Sequence, residues 1–352
     1  MPDIDADHTT RPLRALVVGH FSTVGDIEVL SQVEKHLIAS AVPYDIAPYL
    51  PDIGQNIKGS VRIPEVDANR YSHLFVVCGP FYRPYLDRYS IDLSRFAHCV
   101  RVGVNLTMID PLEEWNPFHV LLGRDSDQWQ RPDLGFREQV RKVPVAGLCL
   151  VRRQREYGER QGHDKAGDAL RRAAERASMA VIELDTEWPV RRNRSAISSP
   201  AQFESICARL DVMLTTRLHG TVLALKNGVP AVVLDPIVGG GKITRQARAI
   251  GWPEAYSIET VTDETLDAAL RRCLDASARE LAREVAARAQ RRLSGFAEEF
   301  QDALALKPAP DLANHHLKPL PAPQGLHQKG RQFIRNLRSK VSQKSKNLLL
   351  HR

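Results

Sequence analysis

Short apolar runs alternate with amphipathic segments along most of the chain. In the first half, apolar runs at residues 13–19, 74–78, 100–104 and, more weakly, 119–122 predict strands. Residues 28–40, between the first two runs, carry their apolar side chains at helical spacing. Strands that alternate with helices in this way favour a parallel sheet with helices on its faces.

The same alternation is clearer in the second half. Apolar runs predict strands at residues 143–151, 180–184, 211–215 and 231–234. Helices are predicted at residues 164–177, after an N-cap at Ser198 or Ser199, and at residues 218–226, where Asn227-Gly228 is a typical stop signal. Two further amphipathic segments, residues 262–276 and 277–305, predict closing helices.

This pattern predicts an α/β fold with two Rossmann-like domains and a C-terminal helical extension. We expect a flexible N-terminus at residues 1–12 and a boundary between the two domains near residues 137–142. The predicted domains are residues 13–140 and, with the closing helices, residues 141–306. A proline-rich linker at residues 307–323 and a basic amphipathic tail at residues 324–352 are expected to follow.

Composition and charge narrow the class of protein. The 352 residues are 43% hydrophobic and 26% charged, with no apolar stretch approaching the roughly 18 residues of a membrane span. The net charge of +7 is concentrated in residues 324–352, which contain no carboxylate, so the remainder is nearly neutral and nucleic acid is not an expected partner. Residues 1–12 do not resemble a secretory signal, which predicts a cytoplasmic protein.

The basic tail has two interpretations. Its apolar residues Phe333, Ile334, Leu337 and Val341 fall at helical spacing among lysines and arginines. Such a segment can lie on an anionic membrane, which would place the protein peripherally at the inner face of the cell membrane. The alternative is a disordered tail that aids solubility.

Cysteine and histidine spacing does not predict a metal site. The five cysteines are widely spaced and mostly flanked by aliphatic residues, as is typical of reduced, buried side chains. No metal ligands are therefore expected.

The most informative segment lies at the end of the predicted strand at residues 211–215. Thr216, Arg217, His219 and Gly220 follow it and lead directly into a helix. Ligands of open α/β sheets bind at such strand ends, where a helix N-terminus and an arginine favour an anion. His219 could exchange a proton there, and Gly220 could allow close approach. The alternative is that Arg217 pairs with a surface carboxylate and His219 is an ordinary helix residue.

A second anion-binding loop is predicted after the strand at residues 231–234. Gly239, Gly240 and Gly241 precede Lys242 and a helical segment, so their backbone N–H groups could cradle an anion. The full P-loop pattern is missing, which argues against a nucleoside triphosphate. Two such loops predict a phosphorylated ligand.

These motifs resemble those of the polysaccharide pyruvyl transferase family. The run Thr216 to Gly220, followed by Gly228-Val229-Pro230 and Lys242-Ile243, looks like the C-terminal signature of that family. Gly25-Asp26, Arg124-Asp125 and Pro132-Asp133 are similar to its N-terminal motifs. The resemblance extends over residues 14–252.

The resemblance implies a GT-B-like arrangement of an acceptor-side and a donor-side domain. It also implies exopolysaccharide or cell-envelope biosynthesis, with phosphoenolpyruvate as donor substrate, no separate cofactor, and a sugar or lipid-linked glycan as acceptor. By this analogy Arg217 holds the donor and His219 is the general acid in the cleft between domains. A sugar hydroxyl then attacks the protonated donor, phosphate leaves, and a second hydroxyl closes a pyruvate ketal.

The N-terminal half supplies the remaining candidate site residues. Asp26 could be the base for an acceptor hydroxyl or a helix cap, and His20 could bind substrate or be a loop residue. The resemblance adds Arg124 as a substrate-binding residue, whereas Asp125 and Asp133 are expected to have structural roles in turns. The sequence departs from the family at residues 19–23 and 78–82, which puts the acceptor and even the activity in doubt.

Two other functions remain open at this point. A nucleotide-sugar glycosyltransferase would use the same strand-end arginine and glycines for a diphosphate. The other is a non-catalytic partner protein that docks on a membrane assembly through its basic tail and needs no donor-binding site.

Overall fold

The computed structural model describes residues 12–306, apart from residues 90 and 189. The predicted linker and basic tail, and all but the last residue of the predicted flexible N-terminus, lie outside the described residues. The described chain divides into two compact units between Lys142 and Val143. No helix in the described part of the chain is both long and apolar enough to cross a membrane.

The N-terminal unit is built on a five-stranded sheet in which all neighbouring strands are parallel, in the order β2-β1-β3-β5-β7. A separate short parallel pair is formed by β4 and β6. The elements are β1 (Ala15–Gly19), α1 (Val24–Ala39), β2 (Tyr44–Pro48), α2 (Pro51–Gly54), β3 (His73–Val77), β4 (Pro80–Phe81), α3 (Arg83–Arg88), β5 (Val100–Val104), β6 (Thr107–Met108) and β7 (Val120–Leu122).

The C-terminal unit has a second five-stranded parallel sheet, in the order β12-β11-β10-β8-β9. Its elements are β8 (Val145–Cys149), α4 (His163–Arg176), β9 (Ala180–Leu184), α5 (Pro200–Cys207), β10 (Val212–Thr215), α6 (Leu218–Lys226), β11 (Ala231–Asp235), α7 (Lys242–Ile250), β12 (Ala255–Ser257), α8 (Asp263–Leu274), α9 (Ala276–Arg292) and α10 (Phe296–Ala305). The predicted α/β fold class, with two parallel sheets and closing helices, is confirmed.

The continuous apolar runs of the strands follow from burial on both faces of each sheet. Leu16 and Val18 of β1 belong to one apolar cluster, whereas Ala15 and Val17 belong to another. Successive strand residues point to opposite faces, so a strand covered on both sides needs apolar residues at every position.

Several element boundaries differ from the sequence predictions. The last predicted helix, residues 277–305, is divided into α9 and α10 by residues 293–295, which include Gly295. Helix α1 begins at Val24, earlier than predicted, because Thr23 caps it. The strands β2 and β12 were not predicted, since neither is a continuous apolar run.

Both sheets have the same topology, which fixes where a ligand can bind. In each, the first strand lies between the second and the third, so the chain reverses direction across the sheet beside that strand. The carboxyl ends of the strands at this reversal border a natural crevice. In the C-terminal unit these strands are β8 and β10, which end at Cys149 and Thr215.

Candidate functional site

Arg217 is held at the carboxyl end of β10, where the chain passes from strand to helix. It is the N-cap residue of α6, and its backbone N–H donates to Oγ1 of Thr215 at 2.9 Å. Its carbonyl oxygen accepts a hydrogen bond from the hydroxyl of Thr221 at 3.1 Å. The backbone around Arg217 is therefore fixed on both sides.

The guanidinium of Arg217 is partly engaged by the protein. Nε donates to the carbonyl oxygen of Leu150 at 2.9 Å, and Nη2 lies 3.0 Å from Oδ1 of Asp185. A second carboxylate, that of Glu187, is 4.0 Å away. Nη1 has no hydrogen-bond partner among the described residues, so part of the guanidinium fork remains for a ligand.

Arg217 lines a cavity of about 800 Å³ at the ends of β8 and β10. We call this space the Arg217 cavity. Its walls carry charges of both signs. Several of the carboxylates already form ion pairs within the protein: Asp185 pairs with Arg217, and Glu183 pairs with Arg171. The side chains of four lining arginines have no ion pair or hydrogen bond within the described residues: Arg152, Arg153, Arg192 and Arg194. The uncommitted charge is therefore mainly positive.

Asp185 organises one wall of the Arg217 cavity. Its side chain is only 10% exposed, and its oxygens accept from the backbone N–H groups of Glu187 at 2.9 Å and Arg194 at 3.3 Å. The same carboxylate contacts Arg217, so it ties the loop after β9 to the end of β10. Asp185 is therefore a positioning residue for Arg217.

His219 does not line the Arg217 cavity. It is exposed on the first turn of α6 and lines a smaller cavity of about 320 Å³ with Trp188, Ile197 and Phe203. Asp185 and Glu187 line both spaces, so the two cavities adjoin at these residues. Arg217 and His219 therefore line two adjoining cavities rather than one, and their joint action on one ligand stays a prediction.

Thr216 and Gly220 serve packing rather than ligand binding. Thr216 is completely buried, and its Oγ1 accepts from the backbone N–H of Val151 at 2.9 Å. A Cβ on Gly220 would lie 2.3 Å from Oγ1 of Thr215 and 3.3 Å from Sγ of Cys149. Both residues hold α6 against the sheet, which favours a packing role, and their substrate-binding role stays a prediction.

At the predicted anion loop of Gly240, Gly241 and Lys242, both glycine N–H groups are engaged within the protein. The buried carboxylate of Asp235 accepts from the backbone N–H of Gly241 at 2.7 Å and of Thr244 at 3.0 Å. Gly240 donates to the carbonyl oxygen of Ile237, and the exposed Lys242 lies 4.0 Å from Glu156. The amino end of α7 is therefore neutralised by the protein's own carboxylate.

In the N-terminal unit, Asp26 caps a helix. Its Oδ2 accepts from the backbone N–H of Ser22 at 3.0 Å and of Thr23 at 2.9 Å, while Thr23 Oγ1 accepts from the Asp26 N–H. This reciprocal capping box favours the structural alternative over a role as base.

His20 belongs to an aromatic cluster at the ends of β1 and β2. Its Nδ1 is 2.6 Å from the hydroxyl of Tyr85, and its ring packs edge-on against Tyr89. Tyr49 packs against the same two tyrosines, and burial raises its pKa well above the usual value. Tyr49 and Tyr85 are buried, so this cluster belongs mainly to the core at the strand ends.

Arg124 is engaged within the N-terminal unit. Its guanidinium donates to Asp133 at 2.9 Å and to the hydroxyl of Thr107 at 2.5 Å. Although partial burial raises the pKa of Asp133, hydrogen bonds from the Gly135 N–H, Arg124 and Asn105 lower it overall. Arg124 thus braces a turn while about a third of its side chain stays exposed, and its substrate-binding role stays a prediction.

The structure adds residues that the sequence reasoning missed. Asp185, Arg152, Arg153 and His163 all line the Arg217 cavity, although they come from different loops. Each follows a strand or begins a helix, but no local sequence pattern sets it apart from other residues at such positions. No group of three potential metal ligands of the His, Cys, Asp or Glu type is found in the described part of the chain, and the five cysteines are buried and unpaired as disulfides.

Part of the C-terminal unit matches a known protein family. Residues 161–236 match the polysaccharide pyruvyl transferase family. The match covers α4 through β11, including Arg217 and His219, and it confirms the resemblance over these residues. The N-terminal motifs Gly25-Asp26, Arg124-Asp125 and Pro132-Asp133 lie outside it.

Solved structures with detectable similarity include sugar-modifying enzymes. The spinosyn rhamnosyltransferase SpnG complexed with thymidine diphosphate is 12% identical, with 78% of this chain and 95% of that chain covered and a TM-score of 0.29. The calicheamicin glycosyltransferase CalG4 is 12% identical over 84% and 100%, with a TM-score of 0.30. The UDP-GlcNAc 2-epimerase of Methanocaldococcus jannaschii is 10% identical over 75% and 93%, with a TM-score of 0.28.

Structural similarity of this extent identifies neither a donor nor an acceptor. No curated protein matches the sequence significantly.

Proposed function

We propose that this chain transfers pyruvate from phosphoenolpyruvate to two hydroxyls of one sugar in a glycan or lipid-linked glycan precursor, forming a ketal. The observation that carries the proposal is the family match over residues 161–236, which includes the strand-to-helix segment bearing Arg217. The position of Arg217 in a cation-rich cavity at the topological crevice supports it.

Arg217 is the proposed carboxylate ligand of the donor. Its unpartnered Nη1 can donate to one carboxylate oxygen while Asp185 and the Leu150 carbonyl keep the guanidinium in place. A fixed guanidinium loses little conformational entropy on binding, which favours a tight and oriented contact.

The proposed reaction begins with proton transfer to the methylene carbon of phosphoenolpyruvate. This step creates positive charge on the adjacent carbon, and a sugar hydroxyl attacks that carbon to form the first C–O bond. The bond to the phosphate oxygen then breaks and phosphate departs with the electron pair. The second hydroxyl forms the other C–O bond, and the two hydroxyl protons balance the proton gained by the methyl group and the proton taken up by phosphate or solvent.

His219 is the proposed proton donor, by the resemblance. Because it lines the neighbouring cavity, the donor's methylene group must point toward the shared Asp185–Glu187 wall. This orientation assigns donor affinity mainly to Arg217 and proton transfer mainly to His219.

The test is product analysis with kinetics of matched variants. Mass spectrometry of sugar acceptors incubated with the protein and phosphoenolpyruvate should reveal the mass of an added pyruvate ketal. His219→Ala should lower kcat by about 10²–10⁴ with a nearly unchanged donor KM, and Arg217→Ala should raise the donor KM. Arg248→Ala, an exposed control on α7, should change neither. Absence of the ketal with any acceptor tried, together with transfer from a nucleotide sugar, would overturn the proposal.

A nucleotide-sugar glycosyltransferase is the second candidate, favoured by one observation. The Arg217 cavity, at about 800 Å³, is larger than phosphoenolpyruvate needs, and its unpaired arginines would suit a diphosphate. The two candidates differ in which donor raises the melting temperature, since only a ligand that binds the folded state stabilises it.

A further inference from the structure

The amino end of α4 is an open anion site in contrast to that of α7. Its N-cap residue, Gly162, offers no side-chain hydrogen bond, and the first bond of the helix runs from the Ala166 N–H to the Gly162 carbonyl oxygen. The backbone N–H groups of His163, Asp164 and Lys165 have no acceptor within the described residues. This helix of 14 residues therefore presents three free donors and the positive end of its dipole.

His163 provides the second, independent indication of a ligand. It is the first residue of α4, it is only 6% exposed, and neither Nδ1 nor Nε2 has a hydrogen-bond partner. It lines the Arg217 cavity and a neighbouring cavity of about 540 Å³. A buried imidazole without a partner costs free energy. Both ring nitrogens are covered in this structure, so a ligand atom would accept the N–H after the ring turns toward the cavity, and that contact would remove the cost.

The surrounding charge selects an anion. Arg152 and Arg153 follow β8 and line both of these cavities, and Lys165 lines the smaller one. None of these three side chains has an ion pair among the described residues. Two carboxylates, Asp164 and Glu159, oppose these three cations in the smaller cavity, and neither side chain has a partner among the described residues. The balance near the open N–H groups is thus positive.

We propose that the amino end of α4, together with His163, Arg152 and Arg153, binds a phosphoryl group. The donors are backbone N–H groups, one imidazole N–H and two guanidinium forks, a set that suits the several oxygens of a phosphoryl group. This site and Arg217 line the same cavity. If the proposed function holds, a phosphorylated carboxylic acid bound there would contact Arg217 through its carboxylate and the α4 site through its phosphoryl group.

Calorimetric titration of the full chain with inorganic phosphate at low ionic strength tests the site directly. Replacing both Arg152 and Arg153 by alanine should weaken phosphate binding by about tenfold or more, whereas the control Arg248→Ala should change the Kd less than about twofold. Asp164→Asn should tighten binding by about threefold, because it removes the adjacent negative charge. A gain of affinity cannot result from misfolding.

His163 is tested with two replacements, because a buried residue can affect folding. His163→Phe removes the donor and should weaken phosphate binding about tenfold, whereas His163→Gln keeps an N–H donor and should restore part of the affinity. Far-ultraviolet circular dichroism and melting temperature confirm that each variant is folded.

The outcomes separate this site from the proposed function. Undetectable phosphate binding to the wild type, or equal Kd values in the Arg152/Arg153 and Asp164 variants, would overturn the site even if a pyruvate ketal is formed. The predicted Kd changes without any ketal product would support the phosphoryl site and refute the proposed reaction.

Discussion

Replacing Gly220 by alanine distinguishes a packing role from a ligand-binding role for this motif glycine. The new Cβ would lie 2.3 Å from Oγ1 of Thr215, well inside contact distance. That hydroxyl is buried, donates to the Cys149 carbonyl oxygen at 2.6 Å and accepts from the Arg217 N–H at 2.9 Å. The substitution must therefore displace Thr215 or α6.

The expected cost can be assembled from three contributions. Overpacking costs about 1–3 kcal/mol, and weakening the two buried hydrogen bonds of Thr215 adds about 1–2 kcal/mol. Alanine regains about 0.5–1 kcal/mol over glycine inside a helix. We expect Gly220→Ala to lower the free energy of unfolding by about 1–4.5 kcal/mol.

Gly167 offers a matched control in another helix. A Cβ there would meet only the ends of flexible side chains, Leu150 Cδ1 at 3.2 Å and Arg171 Nη1 at 3.4 Å. Gly167→Ala should therefore change stability by less than about 1 kcal/mol. Urea unfolding followed by tryptophan fluorescence measures both variants. A Gly220→Ala protein as stable as the wild type would refute the packing argument and restore the ligand-approach role.

Three further predictions concern other parts of the chain. Asp235→Asn should lower the free energy of unfolding by about 2–4 kcal/mol, because an amide cannot accept all the hydrogen bonds that the carboxylate accepts. The control Asp168→Asn, exposed on α4, should lower it by less than about 0.5 kcal/mol in the same urea assay. Equal losses in the two variants would contradict the capping role of Asp235. Burial lowers the pKa of His163 below 6.5, so the wild type should lose stability as pH falls below 6.5, where only the unfolded chain takes up this proton. His163→Phe should flatten that slope by at most about 1.4 kcal/mol per pH unit, and an unchanged slope would refute it. Deleting residues 324–352 should abolish sedimentation with anionic vesicles without removing turnover; retained sedimentation would argue for the solubilising alternative.

The strands and helices of the fold follow largely from local pattern. The strands Val100–Val104 and Ala180–Leu184 match their predicted bounds because valine, isoleucine and leucine dominate each despite one charged residue, and the helix Leu218–Lys226 matches because Asn227-Gly228 ends it. The strand Tyr44–Pro48 was missed because Asp45 interrupts its apolar run. Its place in the sheet depends on pairing with β1 and on the Arg14–Asp45 ion pair, which are long-range contacts.

The candidate site was predictable in position but not in its partners. The sequence placed Arg217 correctly at a strand end that opens a helix. It could not show that Asp185, from the loop after another strand, pairs with Arg217 and lies between it and the cavity of His219. Nor could the glycine pattern show that Asp235 fills the amino end of α7, since side-chain partners across a sheet are not encoded in local spacing.

The site at the amino end of α4 was missed because it depends on contacts between distant parts of the chain. Nothing in the local pattern marks His163, which looks like an ordinary residue at a helix start. Only its burial, its lack of a partner and its position in the cavity shared with Arg217 distinguish it.

The most direct test of the central claim is a calorimetric titration of the full-length protein with phosphoenolpyruvate. We predict saturable binding to the wild type, weakened about 10- to 100-fold by Arg217→Ala and unchanged by Arg248→Ala. Equal affinity for phosphoenolpyruvate in the wild type and in Arg217→Ala, or no binding alongside saturable binding of a nucleotide sugar, would contradict the assignment of the Arg217 cavity to this donor.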